Sequence, residues 1–202
     1  MPFAISKKYE NIDWINLNLT DDASKDWSMG ISIIEDRFKS RFFNHINLIK
    51  NDEFSGFLTM SIDCLLIETL MQFYLGIENT ETNYRGEQWK SFKDFLIYSK
   101  HFNADFSTNK KCKIFYQHFR CGLLHQAQTK HKSRIKINQS NFVVLANSTN
   151  IDEGLIIDRK QFHDKLILEF EDYIQRLKDN KDNFQGQNLR IKAIDKMNLI
   201  CV

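Results

Sequence analysis

Proline occurs once, at Pro2, and glycine only seven times in 202 residues. That scarcity excludes collagen-like and other low-complexity segments and argues against long loops. The four cysteines, Cys64, Cys112, Cys121 and Cys201, form no CxxC pair and no regular framework. Free thiols in a reducing compartment are therefore expected. No apolar run approaches the roughly 18 residues of a membrane span, and the opening MPFAISKKYENIDW lacks the basic-then-apolar order of a signal peptide. A net charge of +2 means that the whole molecule is not a polycation, so any electropositive site must be local. P-loop, GxGxxG, HExxH and GxSxG patterns are absent, which removes the usual nucleotide, dinucleotide, metalloprotease and hydrolase signatures. The expectation is a soluble, cytoplasmic protein without a membrane partner and without a cofactor.

What is present is apolar and aromatic. Hydrophobic residues make up 42% of the chain and phenylalanine alone contributes 17, enough for one sizeable core. Residues 1–24 are polar with scattered aromatics and are expected to form an irregular arm. Ser24 or Asp26 can cap a helix through about Lys50, with Trp27, Ile31, Ile34, Phe38, Phe42, Phe43 and Ile46 near the i, i+3, i+4, i+7 stripe of a core-facing helix. A second helix is expected from about Glu53 to Ile77. Its centre, MSIDCLLIETLMQFYLGI, is apolar nearly all round, as a helix in the middle of a bundle should be. Asp63 and Glu68 lie inside it and need partners there. ENTETNYRG, 78–86, reads as a polar loop and EQWKSFKDFLIYSKHF as a third helix. A fourth, capped by Ser107 or Thr108, extends to about Gln128. SRIKI (133–137) and NFVVLA (141–146), separated by NQS, suggest a β-hairpin at about 133–147. A fifth helix follows from about Lys160 to Asp179, with Asp158 as its cap; NKDNFQGQ reads as a hinge and NLRIKAIDKMNLI as a short terminal helix. The fold expected is mainly α, an up-and-down helical bundle over 25–180 with a small late hairpin, flanked by the arm and a tail, 181–202.

The fourth helix carries the chemistry. In FYQHFRCGLLHQAQTKHKSRIK, Phe115, Phe119, Gly122 and Leu123 share the core face at ~100° per residue. His118, Cys121 and His125, spaced i, i+3, i+7, lie together further round. Arg120 and His125 are five apart and project ~140° from each other, flanking a strip of Gln117, Cys121 and Leu124. They cannot form a close pair on one straight helix, but a second copy packed on that strip across a two-fold axis would bring two arginines and two histidines together. The alternative is that both satisfy local carboxylates, with Glu68 as a partner for Arg120. Zinc on His118, Cys121 and His125 lacks a fourth ligand, and Cys121 as a nucleophile lacks locatable oxyanion donors. Lys130, Lys132, Arg134 and Lys136, with Lys110, Lys111 and Lys113 upstream, form either a basic rim for an RNA backbone or a solvated strand edge.

RCGLLH, Arg120 to His125, resembles the R-x4-6-H motif of the HEPN superfamily. SIDCLLIETLMQFYLG, FYQHFRCGLLHQAQTK and GLIIDRKQFHDKLILEFEDYIQRL look like segments of bacterial HEPN proteins, so the resemblance spans roughly 26–179. It implies a HEPN-like bundle that dimerises through the motif helix and cleaves RNA without a metal. Arg120 would hold the scissile phosphate, and His125 would shuttle the proton for 2′-hydroxyl attack. Gln117 and the basic rim would bind RNA; Glu68, Cys121 and His118 would support the site. The biology implied is toxin–antitoxin control, phage defence or stress response, with an antitoxin or another neighbouring-gene product as possible partner. Cys121 stands where many active members carry a polar residue. Ala127 stands where members neutralised by a nucleotidyltransferase antitoxin often carry tyrosine, which argues against that mode of control.

Overall fold

The computed structural model describes residues 1–19, 24–180, 183–184 and 186–202. Ten α-helices occur among the described residues: α1 Asn11–Ile15, α2 Asp26–Phe38, α3 Asn44–Ile49, α4 Gly56–Leu75, α5 Thr80–Tyr84, α6 Trp89–Tyr98, α7 Asn109–Phe115, α8 Cys121–Gln126, α9 Arg159–Asp179 and α10 Leu189–Cys201. The strands are β1 Arg134–Lys136, β2 Val143–Leu145, β3 Leu155–Asp158, β4 Asn183–Phe184 and β5 Gln187–Asn188. The protein is mainly helical, with one small three-stranded sheet and a two-stranded ribbon. Two joints are π-helical: Lys39–Phe43 links α2 to α3, and Tyr116–Arg120 links α7 to α8.

The chain divides into two compact units. One comprises 1–45, 72–79 and 170–202. Its core sets Phe38 at a tilt against Phe170 at 4.8 Å and Tyr74 edge-on to Tyr173 at 5.0 Å. Far from forming an irregular arm, the described N-terminal residues are pinned. Arg37 donates to the Ile5 carbonyl and Arg41 to the Ala4 carbonyl, each at 2.7 Å. Trp14 is buried and donates its indole N–H to Asn198 on α10 at 2.9 Å. The expected short terminal helix is a full 13 residues, capped by the Asn188 side chain on the Arg190 and Ile191 amides. Part of the arm (20–23) and part of the expected hinge (181, 182 and 185) lie outside the described residues.

The other unit comprises 46–71 and 80–169. Its core is a phenylalanine cluster: Phe162 meets Phe102 at 5.1 Å and Phe115 at 5.2 Å, and Phe115 meets Phe106 at 5.5 Å and Phe119 at 5.4 Å. The expected 78–86 loop contains a turn of helix, α5, whose first residue Thr80 is buried and donates to Glu68 at 2.9 Å. Two of the expected caps are in place, with Thr108 accepting from the Lys111 amide and Asp158 from the Gln161 amide; the cap expected at Ser24 or Asp26 is not, since α2 opens at Asp26 after Lys25 with no side-chain cap.

The expected hairpin is corrected. β1 and β2 do not pair with each other; β3 lies between them, parallel to β1 (Ile135 opposite Ile157) and antiparallel to β2 (Val144 opposite Ile156). The reason is burial. Leu155 and Ile157 of β3 are fully buried, whereas Arg134 and Lys136 of β1 are exposed. The apolar strand takes the centre and the charged strand the edge, where lysine and arginine discourage further pairing.

The second expected helix also needs one amendment. The helical span Glu53–Leu75, 23 residues containing an 18-residue window of mean hydropathy 1.4, is long and apolar enough by length and composition to cross a membrane. A central bundle helix has the same composition, and 56% of the apolar window is buried inside the protein. Its carboxylates have partners. Asp63 accepts from or shares a proton with His163 at 2.7 Å, both fully buried, and Glu68 meets Arg120.

Candidate functional site

The motif lies at the end of a helix that changes its winding on the way. A π-helical turn from Tyr116 to Arg120 separates α7 from α8, so Arg120 closes the wide turn and Cys121 opens the regular one. Such turns insert an extra residue per turn and often occur where a side chain is re-aimed for function. The α-helix then stops at Gln126, earlier than Gln128, because Ala127 adopts the left-handed conformation (φ 49°, ψ 33°). Its amide and that of Gln128 return to the Leu123 and Gly122 carbonyls, which closes the helix end. The chain then folds back, with the Lys130 amide donating to the His118 carbonyl at 3.1 Å. Gly122 permits this return: any side chain there would run into the Gln128 carbonyl.

Arg120 is half-buried and held from two sides. One terminal nitrogen lies 3.2 Å from Glu68 Oε2, and the guanidinium stands 5.6 Å from the centroid of the Tyr116 ring. Glu68 is itself fixed by Thr80 on its other oxygen. Burial works to lower the guanidinium pKa, but Glu68, Tyr116 and Cys121 outweigh it and hold it above the ordinary arginine value. Tyr116 is raised to about 12 by burial and by Cys121. Arg120 thus stays charged throughout, and its Nε is buried without a hydrogen-bond partner among the described residues.

His125 is the opposite case. It is exposed, and no hydrogen bond or ion pair reaches its imidazole among the described residues. No contact joins it to Arg120, so one chain does not assemble the two as a pair. Leu124, between them in sequence, is 48% exposed. Across the ion pair, Leu65, one turn before Glu68 on α4, is also exposed, as are Phe54, Phe57 and Leu58 further back. Exposed Leu124 and Leu65 thus stand near Arg120 and Glu68, each on its own helix.

His118 is drawn inward and does a structural job. Ser133, fully buried, accepts from the Leu155 amide at 3.1 Å, and its hydroxyl shares a hydrogen bond with His118 Nδ1 at 2.9 Å. Burial, with the charges of His131 and Lys130, lowers the His118 pKa to about 4. The ring is neutral at physiological pH and fastens the returning loop to the π-helical turn. Among the described residues, His118, Cys121 and His125 do not bring their ligand atoms together as a metal-holding group.

The basic rim is partly spent. Lys132 is paired with Glu153, and Lys110 with Asp152 at 2.8 Å. Arg134 donates to the carbonyls of His131 and Ser133. Lys136 is exposed and Lys130 half-exposed; neither side chain has an ion-pair partner among the described residues. The acids that neutralise the rim, Asp152 and Glu153, sit on a 3-10 turn far along the chain. Sequence spacing gives no hint of that pairing. Gln117 is exposed beside the motif and lines a cleft with Trp89 and Lys113.

No family model, curated protein or solved structure matches this chain.

Proposed function

We propose that this protein is a metal-independent, HEPN-type endoribonuclease whose site is completed by a second copy of the chain. The observation that carries this is the division of labour along RCGLLH. Arg120 is a permanently charged, immobilised guanidinium, and His125 is an accessible imidazole with nothing bound to it. Arginine offers a planar fork of donors to phosphate oxygens. An accessible histidine can give or take a proton near neutral pH. In this mechanism His125 takes the proton of the ribose 2′-hydroxyl as that oxygen attacks the adjacent phosphorus. The P–O5′ bond breaks, His125 passes that proton on to the leaving 5′-oxygen, and a 2′,3′-cyclic phosphate remains. Arg120 bears the charge developing on the phosphate oxygens. Exposed Leu124 and Leu65 supply apolar surface for the second copy to cover. Gln117, Lys130 and Lys136, with Lys132 and Arg134 after exchange of their present partners, guide the backbone; Cys121 and Glu68 set the position of Arg120. The setting proposed is the cytoplasm, in toxin–antitoxin control, phage defence or stress response, with a neighbouring-gene protein as a regulator.

A second reading, a non-catalytic HEPN-like dimerisation or binding module, is favoured by one observation: Glu68 already pairs with Arg120. A single experiment separates the two. Purified protein incubated with single-stranded RNA in EDTA is expected to release fragments with 2′,3′-cyclic phosphate ends, and Arg120→Ala to release none. Absence of cleavage by the wild-type protein, with dimers lost in Leu124→Glu, would favour the binding module.

A further inference from the structure

Beside the motif lies a cleft of about 420 Å³, lined by Trp89, Asn109, Lys110, Lys113, Ile114, Gln117 and Asp152. Its volume falls within the ~300–1,000 Å³ of small-ligand sites. The lining sorts by chemistry. Trp89 offers a half-exposed indole face and Ile114 an apolar floor, while Asn109 and Gln117 present amides able to donate and accept. Asp152 is neutralised by Lys110. Lys113 makes no direct ion pair among the described residues, although its charge reaches the Glu87 carboxylate, and it rests 5.4 Å from the centroid of the Trp89 ring.

We infer that this cleft is a base-binding subsite for single-stranded RNA, in which one base stacks on Trp89 and its phosphate takes Lys113. The inference rests on the ribonuclease reading of the neighbouring motif and names its substrate class. A flat aromatic face beside unpaired lysine is what single-strand binding sites combine, because every base has a π-face and every nucleotide a phosphate. In the free protein the ring attracts the Lys113 ammonium. An arriving nucleotide gives that ammonium a stronger partner, its phosphate, and frees the indole for the base. The amides of Asn109 and Gln117 then face the base edge. Spacing ties the cleft to the chemistry. Lys113 and Gln117 line the cleft, and three residues past Gln117 the π-helical turn ends at Arg120. Seven residues of helix, at ~1.5 Å rise at most, put Lys113 and Arg120 within about 10 Å along the helix axis. A strand leaving the cleft along this helix reaches Arg120 within one or two nucleotides. A duplex, whose bases are stacked internally, cannot offer one to Trp89.

The test uses the intrinsic fluorescence of the intact protein. Trp14 and Trp27 are 2% and 3% exposed, so quenching by an added base reports on Trp89. The probe is a single-stranded hexanucleotide carrying 2′-O-methyl groups, which cannot be cleaved by 2′-hydroxyl attack. Saturable quenching is expected, lost on duplex formation of the probe. Lys113→Gln is expected to weaken binding several-fold and flatten its salt dependence, and Trp89→Ala to weaken it roughly 5- to 140-fold, measured by polarisation of a labelled probe. Absence of saturable quenching, equal quenching by duplex, or unchanged affinity in Lys113→Gln would overturn the subsite. Because the probe is uncleavable, binding without any RNA cleavage retires the ribonuclease while keeping the subsite. Cleavage without quenching does the reverse.

Discussion

His125→Ala is expected to lower the rate of RNA cleavage by about 10²- to 10⁴-fold, the range associated with losing a positioned acid–base group, while leaving thermal stability unchanged. The second half of that statement follows from exposure: His125 has no hydrogen bond or ion pair to lose among the described residues, and surface substitutions of that kind rarely move stability. Arg120→Ala should abolish cleavage as well, but not silently. It strands Glu68 at a half-buried position and removes a contact with Tyr116, so a stability loss of about 1 kcal/mol should accompany it. Cleavage rates and unfolding midpoints measured on the same preparations separate chemistry from structure. Undiminished cleavage by His125→Ala would remove the histidine from the mechanism.

His163→Leu is expected to destabilise the protein by about 3–5 kcal/mol, the cost of leaving one member of a buried ion pair behind. Asp63 and His163 are both fully buried and 2.7 Å apart, one on α4 and the other on α9. Burial pushes the Asp63 carboxyl pKa up, and the hydrogen bond and charge of His163 pull against it. A carboxyl whose pKa is raised on folding binds protons more readily in the native state. Its contribution is therefore most favourable below the unfolded value and shrinks as pH climbs through the folded one. Without the imidazole the opposing pull is gone, so the stability of His163→Leu should fall more steeply as pH rises from 4. Asp63→Leu combined with His163→Leu should recover most of the loss, since neither charge is then stranded. Urea midpoints of the four proteins close this cycle; a single-variant cost below about 1 kcal/mol would show that the pair carries little.

Local periodicity made the helices legible. The stripe from Trp27 to Ile46, the all-round apolar centre of α4 and the caps at Thr108 and Asp158 are properties of consecutive residues, and they fall where the sequence places them. What was hidden depends on partners distant in the chain. Ile5 and Ala4 are ordered by Arg37 and Arg41, more than thirty residues on. The pairing of Asp63 with His163 spans 100 residues. The strands failed for a different reason: SRIKI and NFVVLA looked like neighbours because they are adjacent in sequence, whereas the more apolar LIID claimed the centre of the sheet. At the motif, helical spacing separated Arg120 from His125 and singled out Leu124 between them. The π-helical turn ending at Arg120 and the left-handed Ala127 leave no compositional signature, and the acids Asp152 and Glu153 that quiet the basic rim lie on a remote turn.

In the proposed mechanism each chain contributes half of a site. Mixing purified Arg120→Ala with His125→Ala tests this most directly, because a mixed dimer holds one intact Arg120 and one intact His125 on different chains. Each variant alone should be inactive, and the mixture should regain a measurable fraction of wild-type cleavage as mixed dimers form. Silence from demonstrated mixed dimers, under conditions where the wild-type protein cleaves, would contradict a site shared between two copies.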